Sequence, residues 1–558
     1  MRCTSLAAVA VALAALCQLC ESQTTFNVFT TTAVTAPVPS DFCSFSIEVT
    51  GVAPMFTTYG NGTVRAAFVN LLKHLQGYNA GQRGPNIRVG GNSADTSEFV
   101  AANTTLLAGD TTRASQADLN ALAAAVSQFN GSVVVGLNAR QDLPPAFDVA
   151  WALAANATLG SYLEAFEIGN EPNYWVYKSI KNSSFNAASY TSEFNAYVSR
   201  LVAAGLPLRM FTAPTNGLNP AGSVLNASWA MSFVTAYSSA LVSVCSHYYP
   251  LSVCPLNDGS LPSPSPTPAL LLSPANAASS LASLPGFIAA AAANGLPFHI
   301  GEGDAVCCSG SNVTASGMVA ALWTLDTMFK VASMGVSRFN FHGGPTGDNA
   351  PVRFFITGSN PTTYSLLPSV NAPFYGMAAF TYATANAARL VQTVSSSPNG
   401  AVSGWAVVDA SGTVRIALIN KDTSANAPGA LVSVLLPGTG TLLPATLALM
   451  LPGPGGLTGT TGLRWMNMTW DGSMDGRPVG QPVTQTLMPT APGQYDLTLA
   501  PYSAVILTIS ANVPMPAPSG SNSSTSGGAL AARPAMHAVA LAVLVCALWL
   551  DVRPSDRS

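Results

Sequence analysis

Ala165-Phe-Glu-Ile-Gly-Asn-Glu-Pro-Asn173 is a short apolar run of strand type that ends on a carboxylate, Glu171, and Pro297-Phe-His-Ile-Gly-Glu-Gly303 repeats the device with Glu302. In a parallel α/β barrel the ends of the strands are where reactive side chains converge. Six further runs have the same character: residues 42–48, 86–89, 132–137, 210–214, 244–249 and 338–342, which with 165–168 and 298–301 make eight. Ala-rich amphipathic segments separate them, among them 115–129, 187–204 and 316–335. Strands alternating with helices in this way predict a (β/α)8 TIM barrel over residues 23–387. On that count Glu171 follows the fourth strand and Glu302 the seventh, so the two face each other across the barrel mouth. The Pro/Ser-rich stretch 254–274 reads as an extended loop after strand six, on the rim.

After residue 387 the pattern changes. Short alternating runs at 402–408, 414–420, 430–436, 495–499 and 504–509 are separated by Gly, Pro, Asn and Asp turns, the signature of an all-β sandwich over 388–512. The Thr-rich run 24–38 is expected to pair with that domain and tie the two ends of the chain together.

Composition narrows the function. The 558 residues are 48% apolar and only 8% charged, with a net charge of −3 and no Lys/Arg run. Phosphate contacts need clustered positive charge, so nucleic acid is excluded as a partner, and a substrate read mainly by sulfates is poorly served. Residues 1–22 carry one early cation, Arg2, and an apolar run over 6–16, which describes a secretory leader. A Pro/Ser/Gly linker at 513–528 leads into 529–558, where small residues, a spacer and a short apolar stretch read as a GPI-anchor signal. Thirteen apolar residues at 538–550 are too few to span a bilayer about 30 Å thick as a helix. A secreted or cell-surface glycoprotein is expected, held to the membrane only through its lipid. Nine Asn-x-Ser/Thr sequons, at Asn61, Asn103, Asn130, Asn156, Asn182, Asn226, Asn312, Asn467 and Asn522, agree with that route. A monomer is expected.

Nine cysteines fall to five once Cys3, Cys17, Cys20 and Cys546 leave with the terminal segments. Cys245 and Cys254 flank a loop and are the candidate disulfide; Cys43, Cys307 and Cys308 leave one thiol over if a second bridge forms. The adjacent pair Cys307 and Cys308 has no His or Cys at ligand spacing, so no metal site is expected there.

Two carboxylates at strand ends are what glycoside hydrolysis requires. One keeps a proton for the leaving oxygen and the other stays ionised to attack the anomeric carbon, with retention when they stand about 5 to 5.5 Å apart. The ordered set goes further. Glu48 within Cys43-Ser-Phe-Ser-Ile-Glu-Val49, Arg88-Val-Gly-Gly-Asn-Ser-Ala-Asp95, Gly136-Leu-Asn-Ala139, Ile168-Gly-Asn-Glu-Pro-Asn173, Ser246-His-Tyr-Tyr-Pro250, Ile300-Gly-Glu302 and Asn340-Phe-His-Gly-Gly344 together resemble glycoside hydrolase family 79, the β-glucuronidases and heparanases, within the clan of barrels whose catalytic glutamates follow strands four and seven. The likeness runs from Phe42 to about Asp422.

The resemblance implies a retaining, exo-acting β-glycosidase of extracellular glycans or glycoconjugates, most simply a β-glucuronidase, with no cofactor and no metal. It implies Glu171 as acid/base, its proton held near neutral pH by burial and by the second carboxylate, and Glu302 as nucleophile. It implies Asn170 on the sugar 2-hydroxyl, Tyr248 on the nucleophile, Glu48 and Asn92 on ring hydroxyls, His342 closing the floor, and Arg88 with Asp95 bracing the loop after strand two. His247 and His342 read equally well as hydrogen-bonded wall residues. In the family a Tyr and glycines after the nucleophile receive the uronic carboxylate. Here Cys307 stands at the Tyr position and Ser309 at a Gly position, which leaves two receptors to weigh: Ser309 with a backbone N–H for a glucuronide, or a pocket for a neutral sugar. A cell-surface carbohydrate-binding glycoprotein without turnover is the reading from another class, and retention of both glutamates speaks against it.

Overall fold

Eight parallel strands close into a barrel: Cys43–Glu48, Asn86–Gly90, Ser132–Leu137, Leu163–Ile168, Phe211–Asn216, Leu241–Tyr248, Phe298–Gly303 and Val336–His342. The eighth closes onto the first, with Phe339 beside Cys43 and Phe341 beside Phe45. Asn86–Gly90, Ser132–Leu137 and Phe298–Gly303 are buried along their whole length, as strands covered on both faces must be. The computed structural model describes residues 23–516 apart from 58–62, 101–105, 107–110, 140–144, 218–224, 255–263, 309–312, 345–346, 348, 358–364, 398–399, 425–428 and 438–441. The expected leader at 1–22, the anchor signal at 529–558, the linker beyond 516, Ser309, and the sequons at Asn61, Asn103, Asn312 and Asn522 lie outside the described residues. Asn130, Asn182, Asn226 and Asn467 are exposed and Asn156 half-buried. Among the described residues no helix is long and apolar enough to cross a membrane.

Local chemistry sets the helix ends. Gln116–Val126 starts at a capping box in which Ser115 and Asp118 exchange side-chain and backbone bonds. Met318–Met334 stops at Gly335, whose φ of 101° only glycine adopts without strain. Met318–Met334 and Ala372–Ala383 are buried on nearly every side. They lie between the barrel and the second sheet, which explains why neither shows a polar face.

That sheet runs through Arg389–Ser395, Val402–Val408, Val414–Asn420, Ala430–Leu435, Ala445–Leu451, Gln494–Leu499 and Ala504–Ile509. Strand Thr24–Ala33 lies within it, antiparallel to Arg389–Ser395 and parallel to Ala430–Leu435. The period-two alternation of strand side chains divides its residues between two cores. Ile416 and Leu418 join Val408, Val434 and Leu507 in a cluster of the β domain itself, while Ala417 and Ile419 join the barrel's cluster with Met450 and Ile506. Asp326 of the helix Met318–Met334 accepts bonds from Trp405 Nε1 at 2.8 Å and Lys421 Nζ at 2.6 Å, and Phe329 stacks on Trp405. The junction is therefore continuous core.

The barrel interior holds a charged layer where branched aliphatics are the usual filling. Arg338 bonds Asp41 Oδ2 and Glu164 Oε1, each at 2.6 Å, and Glu164 also accepts from Ser132 Oγ at 2.8 Å. Burial pushes the Glu164 carboxyl up, but Arg338 outweighs it and holds the group at about 2. A depressed carboxyl contributes stability that is present above its unfolded value and lost as pH falls through the folded one, here a window from about 4.3 down to about 2. Arg338→Met leaves Asp41 and Glu164 without their shared cation in a largely buried layer, and is expected to cost about 3 to 5 kcal/mol in urea unfolding at pH 7. The penalty should shrink below pH 4 as those carboxylates protonate.

Candidate active site

Glu171 and Glu302 meet at the C-terminal mouth of the barrel. One oxygen of each carboxylate and a ring nitrogen of His247 lie within 4.8 Å of one another. Glu302 lies within the seventh strand itself, and Glu171 stands three residues past the fourth. Its backbone is left-handed, φ 51° and ψ 61°, a conformation that non-glycine residues seldom hold and that clusters at functional sites. The surroundings over-determine that turn. Asp95 accepts the Asn170 N–H and the Trp175 indole N–H at 3.2 Å, and Asn173 exchanges two bonds with the Gly217 backbone at 2.7 and 2.9 Å. A Cβ on Gly217 would stand 2.6 Å from Glu171 Oε1, so the approach of that loop depends on its being glycine.

Each carboxylate has its own set of partners. Glu302 accepts from Arg88 Nη1 at 2.5 Å and from the Tyr249 hydroxyl at 2.9 Å, and His342 Nδ1 stands 3.5 Å away. Burial pushes this carboxyl up; the imidazoles of His342 and His247, the Arg88 guanidinium and the Tyr249 hydroxyl pull it further down, and it sits well below the usual range. Glu171 accepts from Lys178 Nζ at 2.8 Å and lies 3.1 Å from His247 Nδ1. The opposite ring nitrogen of His247 is buried and has no partner among the described residues.

Several sequence expectations change here. Burial does raise the Glu171 carboxyl, but Lys178, followed by His247, outweighs both burial and the charge of Glu302 and brings it to about 2. The expected proton-retaining carboxyl is thus corrected by a cation that sequence reading passed over. Tyr248 does not touch Glu302. Its hydroxyl pairs with Ser280 Oγ at 2.9 Å among the outer helices, and Tyr249 makes the contact instead. Along a strand His247 and Tyr249 share the inner face and Tyr248 the outer one, so period-two alternation carried the signal. Arg88 and Asp95 do not pair. Arg88 binds Glu167 through two nitrogens, together with Glu302, Ser46 and Asn170 Oδ1.

The bridge expected between Cys245 and Cys254 is absent. Cys245 is a free buried thiol on the inner face, lining a small cavity with Arg88 and Glu167, whereas Cys254 on the rim is bonded to Cys308. The remaining expected residues converge on the mouth. Glu48 accepts the Ser93 N–H at 2.8 Å and that of Asn92 at 3.2 Å, and lies 3.8 Å from His342 Nε2. Asn170 donates to Asn92 Oδ1 at 3.2 Å, and Lys178 donates to the same oxygen at 2.5 Å. Gly91, φ 71°, packs so closely on Glu48 that a Cβ would overlap the carboxylate. Lys178, Tyr249, His247, Ser46 and Glu167 complete the arrangement.

Lys178 yields a pH prediction. Its ammonium depresses the Glu171 carboxyl, so Lys178→Met raises that carboxyl toward or above its ordinary value of about 4.3. If Glu171 must be protonated to act, the basic limb of kcat/KM against pH is expected to move to higher pH in the variant. A limb that stays in place would show that Glu171 does not set it.

No protein-family model matches the chain, and no curated protein sequence matches it. Its likeness is to solved structures. A 4-O-α-L-rhamnosyl-β-D-glucuronidase from Fusarium oxysporum 12S superposes with a TM-score of 0.68 at 20% identity, over 87% of this chain and 100% of that one. A GH51 arabinofuranosidase from Xanthomonas axonopodis pv. citri gives 0.57 at 14% identity, over 87% and 99%. A family 44 xyloglucanase from Paenibacillus polymyxa gives 0.54 at 10%, over 88% and 100%. What these likenesses establish is the fold, a (β/α)8 barrel followed by a β domain.

Proposed function

We propose that this protein is a retaining β-glycosidase, with a β-glucuronide as the leading substrate. The observation that carries the reading is the approach of one oxygen of Glu171 and one of Glu302 to within 4.8 Å at the ends of strands four and seven, which suits the close pair of a double displacement rather than the roughly 6.5 Å or more of an inverting pair. Glu302, held ionised by Arg88 and Tyr249, attacks the anomeric carbon and forms a glycosyl-enzyme ester. Glu171 protonates the leaving oxygen and then deprotonates the incoming water. For the first step its carboxyl must take up a proton against the pull of the Lys178 ammonium and of His247. Asn170, Asn92, Glu48 and His342 line the same mouth and supply donors and acceptors for ring hydroxyls. Similarity in fold to a rhamnosyl-β-glucuronidase supports a uronide, and the sequons support extracellular glycans as its source.

A neutral-sugar β-glycosidase is the second reading, favoured by one observation. The segment after Glu302 offers Asp304, fully buried, and the half-buried thiol Cys307, neither of which receives a carboxylate. A panel of nitrophenyl β-glycosides (glucuronide, 4-O-methylglucuronide, glucoside, galactoside, xyloside) at mildly acidic pH decides between them. Glucuronide turnover is expected. Turnover of neutral glycosides alone would assign the second reading, and binding without any turnover would return the protein to the class of surface lectins.

A further inference from the structure

Three sulfurs meet on the rim of the cleft, and the carboxylate chemistry uses none of them. The segment after Tyr249 and the segment after Glu302 run side by side, Leu251 opposite Val306 and Ser252 opposite Cys307, with the Val253 N–H donating to the Cys307 carbonyl at 3.3 Å. They are joined covalently just beyond, by Cys254–Cys308. The thiol of Cys307 is not outside this arrangement. Its Sγ lies 3.3 Å from Cys254 Sγ and 3.9 Å from Cys308 Sγ, close to van der Waals contact with both bridged sulfurs.

We propose that Cys254, Cys307 and Cys308 form a thiol–disulfide exchange centre in which Cys307 and Cys308 alternate as the partner of Cys254. The step needs no outside oxidant or reductant. Cys307 Sγ stands side-on to the Cys254–Cys308 bond, so its side chain first turns into line behind Cys254; the thiolate then attacks Cys254 Sγ, the Cys254–Cys307 bond forms as the Cys254–Cys308 bond breaks, and Cys308 leaves as a thiolate that takes up the proton Cys307 lost. Cys308 holds a left-handed backbone, φ 64°, while it is bridged, a conformation that L residues with a Cβ seldom hold, and the exchange removes its tether there. Cys308 is exposed and Cys307 half-buried, so the two forms also differ in which thiol meets solvent. The charges of Glu171 and Glu302 both act on the Cys307 thiol. Exchange would move the tether one residue closer to Glu302. Burial, and then those two charges, push the Cys307 thiol up to about 12, so the thiolate is scarce at neutral pH and each form persists long enough to be trapped.

The exchange involves the sulfurs alone and stands whether or not the glycosidase reading does. Full-length protein is held for hours at pH 9, quenched in acid, unfolded and alkylated with N-ethylmaleimide. It is then digested without reduction, and label is assigned to Cys307 or Cys308 by fragmentation. Label is expected to shift in part from Cys307 to Cys308, and Cys308→Ser is expected to carry a Cys254–Cys307 bridge. Label confined to Cys307 in the wild-type protein, or Cys254 and Cys307 both alkylated in folded Cys308→Ser, would overturn the proposal. Neither readout passes through glycoside turnover.

Discussion

Replacing Glu302 with Gln is expected to lower kcat on a nitrophenyl β-glucuronide by about 10^4-fold or more, with little change in KM. An amide keeps the shape of the carboxylate: its oxygen can accept from Arg88 while its NH2 donates to the Tyr249 hydroxyl oxygen, which turns its own proton elsewhere, so the pocket is retained. What is lost, on the proposed mechanism, is the nucleophile, along with the negative charge that matches the developing positive charge at the anomeric carbon. Removing the group that forms the covalent bond affects only the transition state and the later steps, so the loss appears in kcat and kcat/KM together. The fold should survive because Arg88 keeps its bidentate partner Glu167. The shorter Glu302→Ala makes room for a small anion, and azide should then restore turnover and release a glycosyl azide of inverted configuration. Unchanged turnover in Glu302→Gln would end the two-carboxylate mechanism.

Glu171→Gln should behave differently, and the difference separates the two roles. The acid matters in proportion to the basicity of the leaving group. Loss of a positioned general acid is worth about 10^2- to 10^4-fold on a poor leaving group, whereas a dinitrophenyl glycoside, whose phenolate departs unaided, should lose much less in its first step. On the proposed mechanism the second step also uses Glu171, as base toward water. Glycosyl-enzyme should therefore accumulate with the dinitrophenyl substrate, and azide, which requires no deprotonation, should relieve it and give a product of retained configuration. The basic limb of the wild-type pH profile should vanish in the same variant. An equal loss on good and poor leaving groups would assign Glu171 a positioning role only.

The second experiment bears on the feature of the site that sequence alone misjudged in sign. Reading Glu171 as buried and next to a second carboxylate leads to a raised pKa, and each of those effects is present. The overriding charge is Lys178, seven residues on, in a stretch that reads as an ordinary loop. Its ammonium reaches Glu171 because Pro172–Tyr174 forms a turn of 3-10 helix that carries the chain back over the mouth. The Tyr248 assignment failed for a smaller reason. Adjacent residues of a strand point to opposite faces, so a slip of one position exchanged a residue of the outer layer for the one on the nucleophile.

The periodic part of the molecule was legible in the chain alone. Eight apolar runs spaced by amphipathic helices admit few arrangements, because parallel strands need crossovers that cover both faces. Glu171 and Glu302 each close such a run, so their meeting at the mouth comes from the strand count. The alternating runs after residue 387 are also local signals, readable because polar and apolar positions keep to period two. Everything that depends on distance between segments far apart in the chain was settled by tertiary packing instead. It paired Arg88 with Glu167 and Glu302 rather than Asp95, and set Arg338 between Asp41 and Glu164 inside the barrel. It also joined Cys254 to Cys308, leaving Cys245 inside the barrel. Hydrophobic burial is written residue by residue and survives in the pattern of a sequence. Ion pairs and disulfides are set by a few ångströms between side chains on different strands, and no spacing along the chain encodes those.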